Sequence, residues 1–244
     1  MAEPSGTNSD PDSDPAFSKE ELTAKLTGKP DFVLEECYCK GVGEYCIDNA
    51  FCVQLAATAT LPTRYGVFTL YGFYDNREGK EHTAIVHGDV EGRESVPLRV
   101  HSECHTGDVW GSLRCDCRDQ LEAATRFIAG QPCGVVIYLK QEGRGIGLMN
   151  KIRAYQLQDL GLDTVEANQY LDLPVDARDY KVAAKIIKLL KIKSVSLLTN
   201  NPDKIEQLKA AKISVVGRIP IVIPGNGHDE GYLEVKRRKM GHII

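Results

Sequence analysis

The continuous apolar run GVVIYL at 134–139 constrains the fold of this chain more than any other segment. A short strand without polar alternation is typical of a sheet that is covered on both faces. The glycine-rich segment QEGRGIG follows at 141–147 and is predicted to turn into a helix that runs to about Asp159. A buried strand that leads through such a turn into a helix is typical of an α/β fold.

Strands and helices alternate along the chain after residue 97. An amphipathic helix is predicted at 177–190, because its apolar residues recur at helical spacing. Asn201 is predicted to cap another helix, with Pro202 at its first position. The remaining predicted elements are helices at 119–129 and near 230–240, and strands at 97–102, 194–199 and 213–223.

The segment before residue 97 is predicted to be rich in strands. Strands are expected at 65–75 and 81–90, on either side of an Asn-Arg-Glu-Gly turn. The whole pattern therefore predicts an α/β fold whose mixed sheet is flanked by helices and has an antiparallel, β-rich N-terminal part.

Two regions are expected along the chain: an N-terminal extension over 1–52 and one folded domain over 53–244. Residues 1–16 are mostly Ser, Asp, Pro and Gly and are expected to be disordered, because they have little apolar surface to bury. One short helix is predicted at 19–28, and residues 31–52 show no clean periodicity.

The charge balance excludes some classes of partner. The net charge is −4, and the first 20 residues carry all of it, so the remainder is balanced. Bulk electrostatic binding of nucleic acid is therefore not expected, although a local anion site is allowed. The N-terminus lacks the basic and apolar parts of a secretory signal, and no apolar run approaches the about 20 residues that span a bilayer. We expect no membrane partner and a cytoplasmic location.

Cys104, Cys115 and Cys117 form a C-x10-C-x-C pattern among polar neighbours. Three thiolates suit zinc and leave its fourth position for water, as in catalytic zinc sites. The alternative is three buried cysteines that act as small apolar residues. His101 and His105 are further candidate ligands.

The other cysteines are weaker candidates for metal ligands. Cys37, Cys39, Cys46 and Cys52 would make a second, four-thiolate site, although free thiols are the simpler interpretation. Cys133 follows a proline before the apolar strand and is predicted to lie in the core.

Two turns are candidates for binding an anion. QEGRGIG at 141–147 offers Glu142, Gly143 and Arg144, and Thr199 to Lys204 form a second strand-to-helix turn. Small residues let backbone N–H groups approach an anion, and a helix N-terminus favours negative charge. Plain strand–helix turns are the alternative. With Arg99 and Arg178, the two turns would form a polyanion pocket.

Two further sets of candidate functional residues, the Asp176–Arg178 pair and Tyr155, each have an alternative, purely structural explanation. Asp176 and Arg178 stand just before the helix predicted at 177–190, where an acid commonly caps a helix. Tyr155 lies on the helix after the glycine-rich turn, where it suits a core aromatic residue equally well.

Six segments occur in the order typical of one enzyme family. They are RVHSEC, SLRCDC, QEGRGIGL, NKIRAYQLQD, DTVEAN and LTNNPDK. Between LPTRYGVF at 61–68 and KMGHII at 239–244, the chain resembles GTP cyclohydrolase II. Each segment alone is modest support, but six in order are highly specific. The resemblance implies that 53–244 form the catalytic domain, which would be a stand-alone enzyme, because about 50 residues cannot hold a second synthase domain.

The resemblance implies roles for individual positions. The zinc ligands would be Cys104, Cys115 and Cys117, and the catalytic residues Asp176 as proton acceptor, Arg178 as nucleophile and Tyr155 near the zinc water. The GTP contacts would be Arg99, Val100, His101, Ser102, Glu103, Gln120, Glu142, Gly143, Arg144, Thr164, Thr199 and Lys204. It also implies one zinc ion per chain, magnesium on the GTP phosphates and a homodimer.

The implied reaction is hydrolysis of GTP at C8 of its imidazole ring, with release of formate and pyrophosphate. Its product would be 2,5-diamino-6-ribosylamino-4(3H)-pyrimidinone 5′-phosphate, at the first step of riboflavin biosynthesis. A guanidinium keeps its proton below pH ~12, so a phosphate clamp is physically easier for Arg178 than covalent attack.

Two other functions stay open. One is an enzyme that opens the ring but keeps the formyl group, and the other is a guanine-nucleotide-binding regulatory module without turnover. The intact set of Asp176, Arg178 and three cysteines argues against the second.

Overall fold

The computed structural model describes residues 51–223 and Gly227. The predicted disordered tail at 1–16, the helix at 19–28 and the helix near 230–240 lie outside these residues. So do Cys37, Cys39 and Cys46 of the hypothetical four-thiolate site.

Seven strands form a single mixed sheet in the described part of the chain, in the order β1-β2-β3-β5-β4-β6-β7. The pairs β1–β2, β2–β3 and β3–β5 are antiparallel, and β5–β4, β4–β6 and β6–β7 are parallel. The predicted mixed sheet with an antiparallel N-terminal part is confirmed. The strands are β1 (Val53–Thr63), β2 (Gly66–Asp75), β3 (Lys80–His87), β4 (Val96–Ser102), β5 (Gly134–Leu139), β6 (Val195–Leu198) and β7 (Val215–Ile219).

Within residues 51–223, five α-helices connect or follow the strands of the parallel part: α1 (Cys117–Ala129), α2 (Leu148–Asp159), α3 (Thr164–Tyr170), α4 (Lys181–Leu189) and α5 (Pro202–Ala210). A π-helical turn at His105–Val109 follows β4, and a 3₁₀ turn at Glu142–Gly145 follows β5. No helix in the described residues is long and apolar enough to cross a bilayer.

The alternation within β5 shows why its sequence is apolar throughout. Val135 and Ile137 lie in the main core, which also contains the buried residues of α4. Val136 packs on the opposite face with Phe68 of β2 and Ile128 of α1. Since successive side chains point to opposite faces of a sheet, β5 needs apolar residues at every position. Its predicted cover on both faces is confirmed.

Five boundaries or elements differ from the sequence predictions. β1 was not predicted, because its small residues and threonines give no clear alternation, yet it pairs with β2 from Val53 to Thr63. β3 ends before Gly88, which has a φ of 64°. The helix predicted at 177–190 begins at Lys181, and only Val215–Ile219 of the segment 213–223 forms a strand. α3 was missed, although Asp163 and Glu166 form a capping box at its start.

A buried acid–histidine pair joins β2 to β3. The Asp75 carboxylate faces His82 Nε2 across 3.7 Å, and the two side chains are almost completely buried. Burial alone would raise the pKa of Asp75, but the interaction with His82 and the hydrogen bond from the Arg77 N–H outweigh it and lower that pKa. The carboxylate is therefore better stabilised in the folded chain than in the unfolded chain.

We expect Asp75→Asn to lower the free energy of unfolding by about 1–3 kcal/mol at pH 7. The native pKa of Asp75 lies below the unfolded value, so its stabilisation is present at higher pH and is lost as pH falls through the native pKa. Urea unfolding of the wild type and of Asp75→Asn should therefore show a gap between their free energies of unfolding at pH 7. This gap should narrow towards pH 3. Asp89→Asn, in an exposed turn, should show little gap at either pH. A constant gap for Asp75→Asn would contradict this explanation.

Candidate functional site

The site forms where the carboxyl ends of the parallel strands β4 and β5 meet, the usual place for ligands in such sheets. A cavity of ≈ 530 Å³ opens there, within the range of small-molecule sites. Its walls come from the segments after β4 and β5, from α2, from the start of α3 and from the loop before α4. Predicted site residues that line it are Ser102, Glu103, Cys104, Cys115, Cys117, Glu142, Gly143, Arg144, Tyr155, Thr164 and Arg178.

The three predicted metal-binding cysteines come together on one side of this cavity. Cys104 follows β4, while Cys115 and Cys117 precede and begin α1. The Sγ atoms of Cys104 and Cys115 are 3.6 Å apart, and all three Sγ atoms lie within 4.8 Å of one another. Among the residues that the structure describes, this cluster contains neither His101 nor His105.

The spacing of the sulfurs fits a tetrahedral zinc ion. Zinc–sulfur bonds of ~2.3 Å at tetrahedral angles separate two sulfurs by ~3.8 Å, close to the observed distance. Gly107 lies against the cluster, where a Cβ would come within 3.0 Å of Cys115 Sγ and 3.1 Å of Cys104 Sγ. The π-helical turn thus encloses the sulfurs without filling the space between them.

Because the three thiols lie so close together, their pKa values are shifted in different directions. Hydrogen bonds from the other two thiols lower the pKa of Cys104, whereas the interaction with Cys104 raises the pKa of Cys115 to about 11. The pKa of Cys117 is raised for the same reason. Three adjacent thiolates repel one another, and a bound divalent cation would remove that repulsion. The donor set and its geometry are therefore suited to a metal.

Asp108 organises the turn that carries Cys104. Its Oδ2 accepts hydrogen bonds from the Cys104 N–H at 3.0 Å and from the Tyr138 hydroxyl at 2.8 Å. His101 Nε2 lies 3.2 Å from both of its carboxylate oxygens. Burial lowers the pKa of His101. Its Nε2 contacts Asp108, and it lies outside the cysteine cluster, so it supports the turn from β4.

Tyr155 lies beside the cysteine cluster rather than in a hydrophobic core. Its hydroxyl is 3.3 Å from the Thr106 hydroxyl, which in turn lies 3.7 Å from Cys104 Sγ. The Arg114 guanidinium stacks 4.8 Å above its ring. Burial raises the pKa of Tyr155, so it remains protonated at neutral pH and is able to donate a proton.

The glycine-rich turn after β5 adopts a left-handed backbone. Gly143 and Arg144 have φ of 62° and 59°, and Gly145 has 91°. Gly145 also packs against the loop before α4, since a Cβ there would lie 3.1 Å from the Ala177 carbonyl carbon. The Ala177 N–H donates to the Arg144 carbonyl at 2.9 Å. The turn and the loop that holds Arg178 are thereby fixed together.

Asp176 and Arg178 form a compact pair rather than a helix cap. Asp176 Oδ1 accepts from the Arg178 N–H at 3.0 Å and from its Nε at 2.9 Å, and Oδ2 accepts from Nη2. Burial would raise the pKa of Asp176, but its bonds to Arg178 lower it overall. The carboxylate therefore holds a protonated guanidinium at the cavity wall, and helix capping does not explain the pair.

Six predicted GTP contacts do not line this cavity: Arg99, Val100, His101, Gln120, Thr199 and Lys204. Lys204, at the start of α5, donates to the Val100 carbonyl at 2.7 Å. Arg99 donates to Gln120 Oε1 at 2.6 Å and to the Leu198 carbonyl at 3.0 Å. Alternation along β4 places Leu98 and Val100 in the main core and lets Arg99 contact α1 instead. Five of these six residues are buried: Arg99, Val100, His101, Thr199 and Lys204.

Sequence reasoning missed several residues of the site. Lys151 contacts Cys104 and Glu142, Thr106 contacts Tyr155, and Asp108 anchors the turn that carries Cys104. The sequence did contain one indication that Lys151 belongs to the site: it precedes Tyr155 by four positions and therefore shares its helix face. Nothing in the local sequence indicates the contacts of Asp108.

Comparison with known proteins identifies the family. The family model for GTP cyclohydrolase II matches residues 54–220, well over half of the chain. The chain belongs to the GTP cyclohydrolase II family. This confirms the resemblance and places the chain among enzymes, as a hydrolase.

Curated GTP cyclohydrolase II relatives match nearly their whole length. "GTP cyclohydrolase-2" of Picrophilus torridus is 56% identical over 192 residues, covering 79% of this chain and 100% of that protein. Proteins of the same name from Neisseria meningitidis serogroup A and Buchnera aphidicola are 53% and 48% identical, covering 97% and 99% of their own length and 79% of this chain.

One solved structure shows a much weaker likeness. A two-domain 3,4-dihydroxy-2-butanone 4-phosphate synthase from A. baumannii overlaps 64% of this chain and 36% of its own, at 19% identity and a TM-score of 0.34. A likeness at that level does not establish a shared fold.

Proposed function

We propose that this chain hydrolyses GTP at C8, releasing formate and pyrophosphate and leaving 2,5-diamino-6-ribosylamino-4(3H)-pyrimidinone 5′-phosphate, as the first step of riboflavin biosynthesis. One observation carries the proposal: a three-cysteine cluster, Tyr155 and Arg178, which is bonded to Asp176, line a single cavity in a member of the GTP cyclohydrolase II family. A cluster of thiolates at one side and arginines at another suits a substrate with a reactive ring and a polyphosphate.

Cys104, Cys115 and Cys117 would hold the zinc ion. Zinc there would supply a Lewis acid that activates water near neutral pH, because three protein ligands leave one coordination position open. The chain's own contribution is to fix the sulfurs: Asp108 anchors the backbone of Cys104, and Gly107 closes the turn over the cluster.

Tyr155 would serve as the proton donor. Breaking each of the two bonds from C8 to nitrogen consumes one water, whose oxygen stays on C8 while the leaving nitrogen gains a proton. The first cleavage gives a formamide and the second gives formate. Thr106 orients the Tyr155 hydroxyl beside the cysteines, and burial keeps it protonated. One donor serves both steps, since both act at the same carbon.

The phosphates would lie against the arginine wall. Arg144 and Arg178 both line the cavity, on the turn and on the loop that Gly145 packs together. Asp176 holds the Arg178 guanidinium in plane through both carboxylate oxygens, which suits a bidentate contact with a phosphate. We propose that Arg178 clamps the α-phosphate while a water adds to the α-phosphorus and the bond to the bridging oxygen breaks, so that pyrophosphate leaves.

The proposal also includes bound magnesium and a second copy of the chain. Magnesium would accompany the GTP phosphates, as for most nucleotide enzymes. Two copies of the chain would form a homodimer, which the family resemblance supports. Sedimentation at micromolar concentration, with and without GTP and magnesium, tests the homodimer: a species of 26.9 kDa under both conditions would contradict it.

Product analysis separates this function from its two alternatives. Purified protein loaded with zinc is incubated with GTP and magnesium, and formate and pyrophosphate are measured together. The proposed function predicts equal amounts of both. Pyrophosphate without formate would instead indicate an enzyme that stops at the formamide. GTP binding without either product would indicate a regulatory module.

Tyr155→Phe should lower formate release by about 10²-fold or more, the usual contribution of a positioned proton donor. Pyrophosphate release should fall less, because Tyr155 lies beside the cysteines and is proposed to act at C8 alone. Parallel assays of both products measure the difference. Tyr170→Phe, on an exposed tyrosine, is the matched control. Equal loss of both products in Tyr155→Phe would contradict the assigned role.

A further inference from the structure

Lys151 lines the cavity. The proposed reaction assigns no role to this lysine. Its ammonium donates to Cys104 Sγ at 3.0 Å and to Glu142 Oε1 at 2.9 Å. Only 12% of its side chain is exposed. A buried charge is costly unless it is paired, so these two contacts determine where the ammonium lies.

We propose that Lys151 is a positioning residue for the metal centre, which balances the charge of the three cysteines and ties them to the glycine-rich turn. This inference rests on the proposed zinc site. It adds a residue outside the set of ligands, whose effect is exerted through Cys104 and Glu142.

The charge argument starts from the cluster itself. Three thiolates around Zn²⁺ leave one net negative charge, and Cys104 and Cys115 are buried. The Glu142 carboxylate, also buried, adds a second negative charge at the Lys151 ammonium. Lys151 contacts both anions. Without it, two buried anionic groups would lose the cation that they share, which destabilises the metal-bound state.

The mechanical argument comes from the bonds of Glu142. Its Oε2 accepts from the His105 N–H in the π-helical turn, and its Oε1 accepts from the Gly143 N–H at 2.7 Å. Lys151 therefore completes a chain of contacts from Cys104 through Glu142 to the turn proposed to hold substrate. The stem of Lys151 also packs on that turn, since a Cβ at Gly143 would lie 3.3 Å from Lys151 Cβ.

Zinc affinity provides the first test. Zinc is titrated into the metal-free full chain in competition with a chromophoric chelator, for the wild type, Lys151→Met and Lys151→Gln. We expect both variants to bind zinc about 10- to 100-fold more weakly, the usual cost of losing a partner of a metal ligand. Arg153→Met is the matched control, because Arg153 is an exposed cation on the same helix that contacts Asn150. It should bind zinc as the wild type does.

Cobalt(II) in place of zinc gives a readout that a general loss of stability would not move. Removing a cation and hydrogen-bond donor from Cys104 raises the energy of the sulfur electrons. The sulfur-to-cobalt charge-transfer band should therefore shift to longer wavelength in Lys151→Met and Lys151→Gln and stay in place in Arg153→Met. If Lys151→Met does not fold, Lys151→Gln, which keeps a polar head and lacks the charge, provides the test.

The outcomes separate this inference from the proposed function. Wild-type affinity and an unmoved cobalt band in a folded Lys151 variant would overturn the role of Lys151 and leave the zinc site intact. A wild-type chain that takes up neither zinc nor cobalt would overturn the zinc site itself, and the role of Lys151 with it.

Discussion

Cys115→Ser is expected to abolish zinc binding and formate release together. The substitution removes one of three sulfurs that lie within 4.8 Å of one another, and serine is a poor zinc ligand at neutral pH. A Lewis acid contributes several kcal/mol to such a reaction, so formate release should fall by about 10³-fold or more. Metal analysis of the purified variant and a formate assay measure the two effects.

Cys133→Ser is the matched control for Cys115→Ser. Cys133 is a free, half-buried cysteine that packs against the main core, as its sequence predicted, and it lies outside the cluster. Its variant should keep one zinc ion per chain and full turnover. Full formate release by a zinc-free Cys115→Ser protein would contradict the proposed mechanism at its first step.

Arg178→Lys is expected to lose most turnover although it keeps the positive charge. Arg178 contacts both oxygens of Asp176 through two guanidinium nitrogens, and a lysine ammonium cannot reproduce this planar pair of bonds. A misplaced cation at a reacting phosphate typically costs about 10²-fold, so pyrophosphate release should fall by at least that factor. A steady-state pyrophosphate assay at saturating GTP measures it.

Arg77→Lys provides the control for Arg178→Lys, because Arg77 also pairs with an aspartate of the loop before α4, Asp179, at 2.7 Å. Its turnover should stay near that of the wild type. The same proteins also separate a clamp from a covalent nucleophile. The clamp predicts no phosphoramidate on the Arg178 peptide at substrate saturation, whereas a trapped phosphoramidate there would establish covalent attack.

The sequence predicted the parts of the fold that depend on local pattern. The apolar run of β5, the Asn201–Pro202 start of α5 and the antiparallel β2–β3 pair all have signals within a few residues. β1 lacked such a signal, because its order depends on pairing with β2 rather than on its own alternation. α3 was missed because its capping box was not recognised in DTVE.

The residues of the candidate site also fall into two groups: those that the sequence indicated, and those whose contacts depend on long-range packing. The C-x10-C-x-C spacing indicated the three cysteines, which the structure brings together. The resemblance to a family assigned roles to Tyr155 and Arg178, which line the same cavity. The contacts of Lys151 and Asp108 depend on long-range packing: Lys151 reaches a cysteine 47 positions away, and Asp108 bonds Tyr138 from 30 positions away. Only the folded chain shows that these residues support the cluster.

The most direct test of the proposed function follows the carbon at which both bonds break. GTP labelled with ¹³C at C8 is incubated with the zinc-loaded chain and magnesium, and carbon NMR records the label over time. The proposed function predicts that the purine C8 signal is replaced by formate in an amount equal to the pyrophosphate released. Label that stops in a formamide, or that stays in intact GTP bound to the protein, would contradict it.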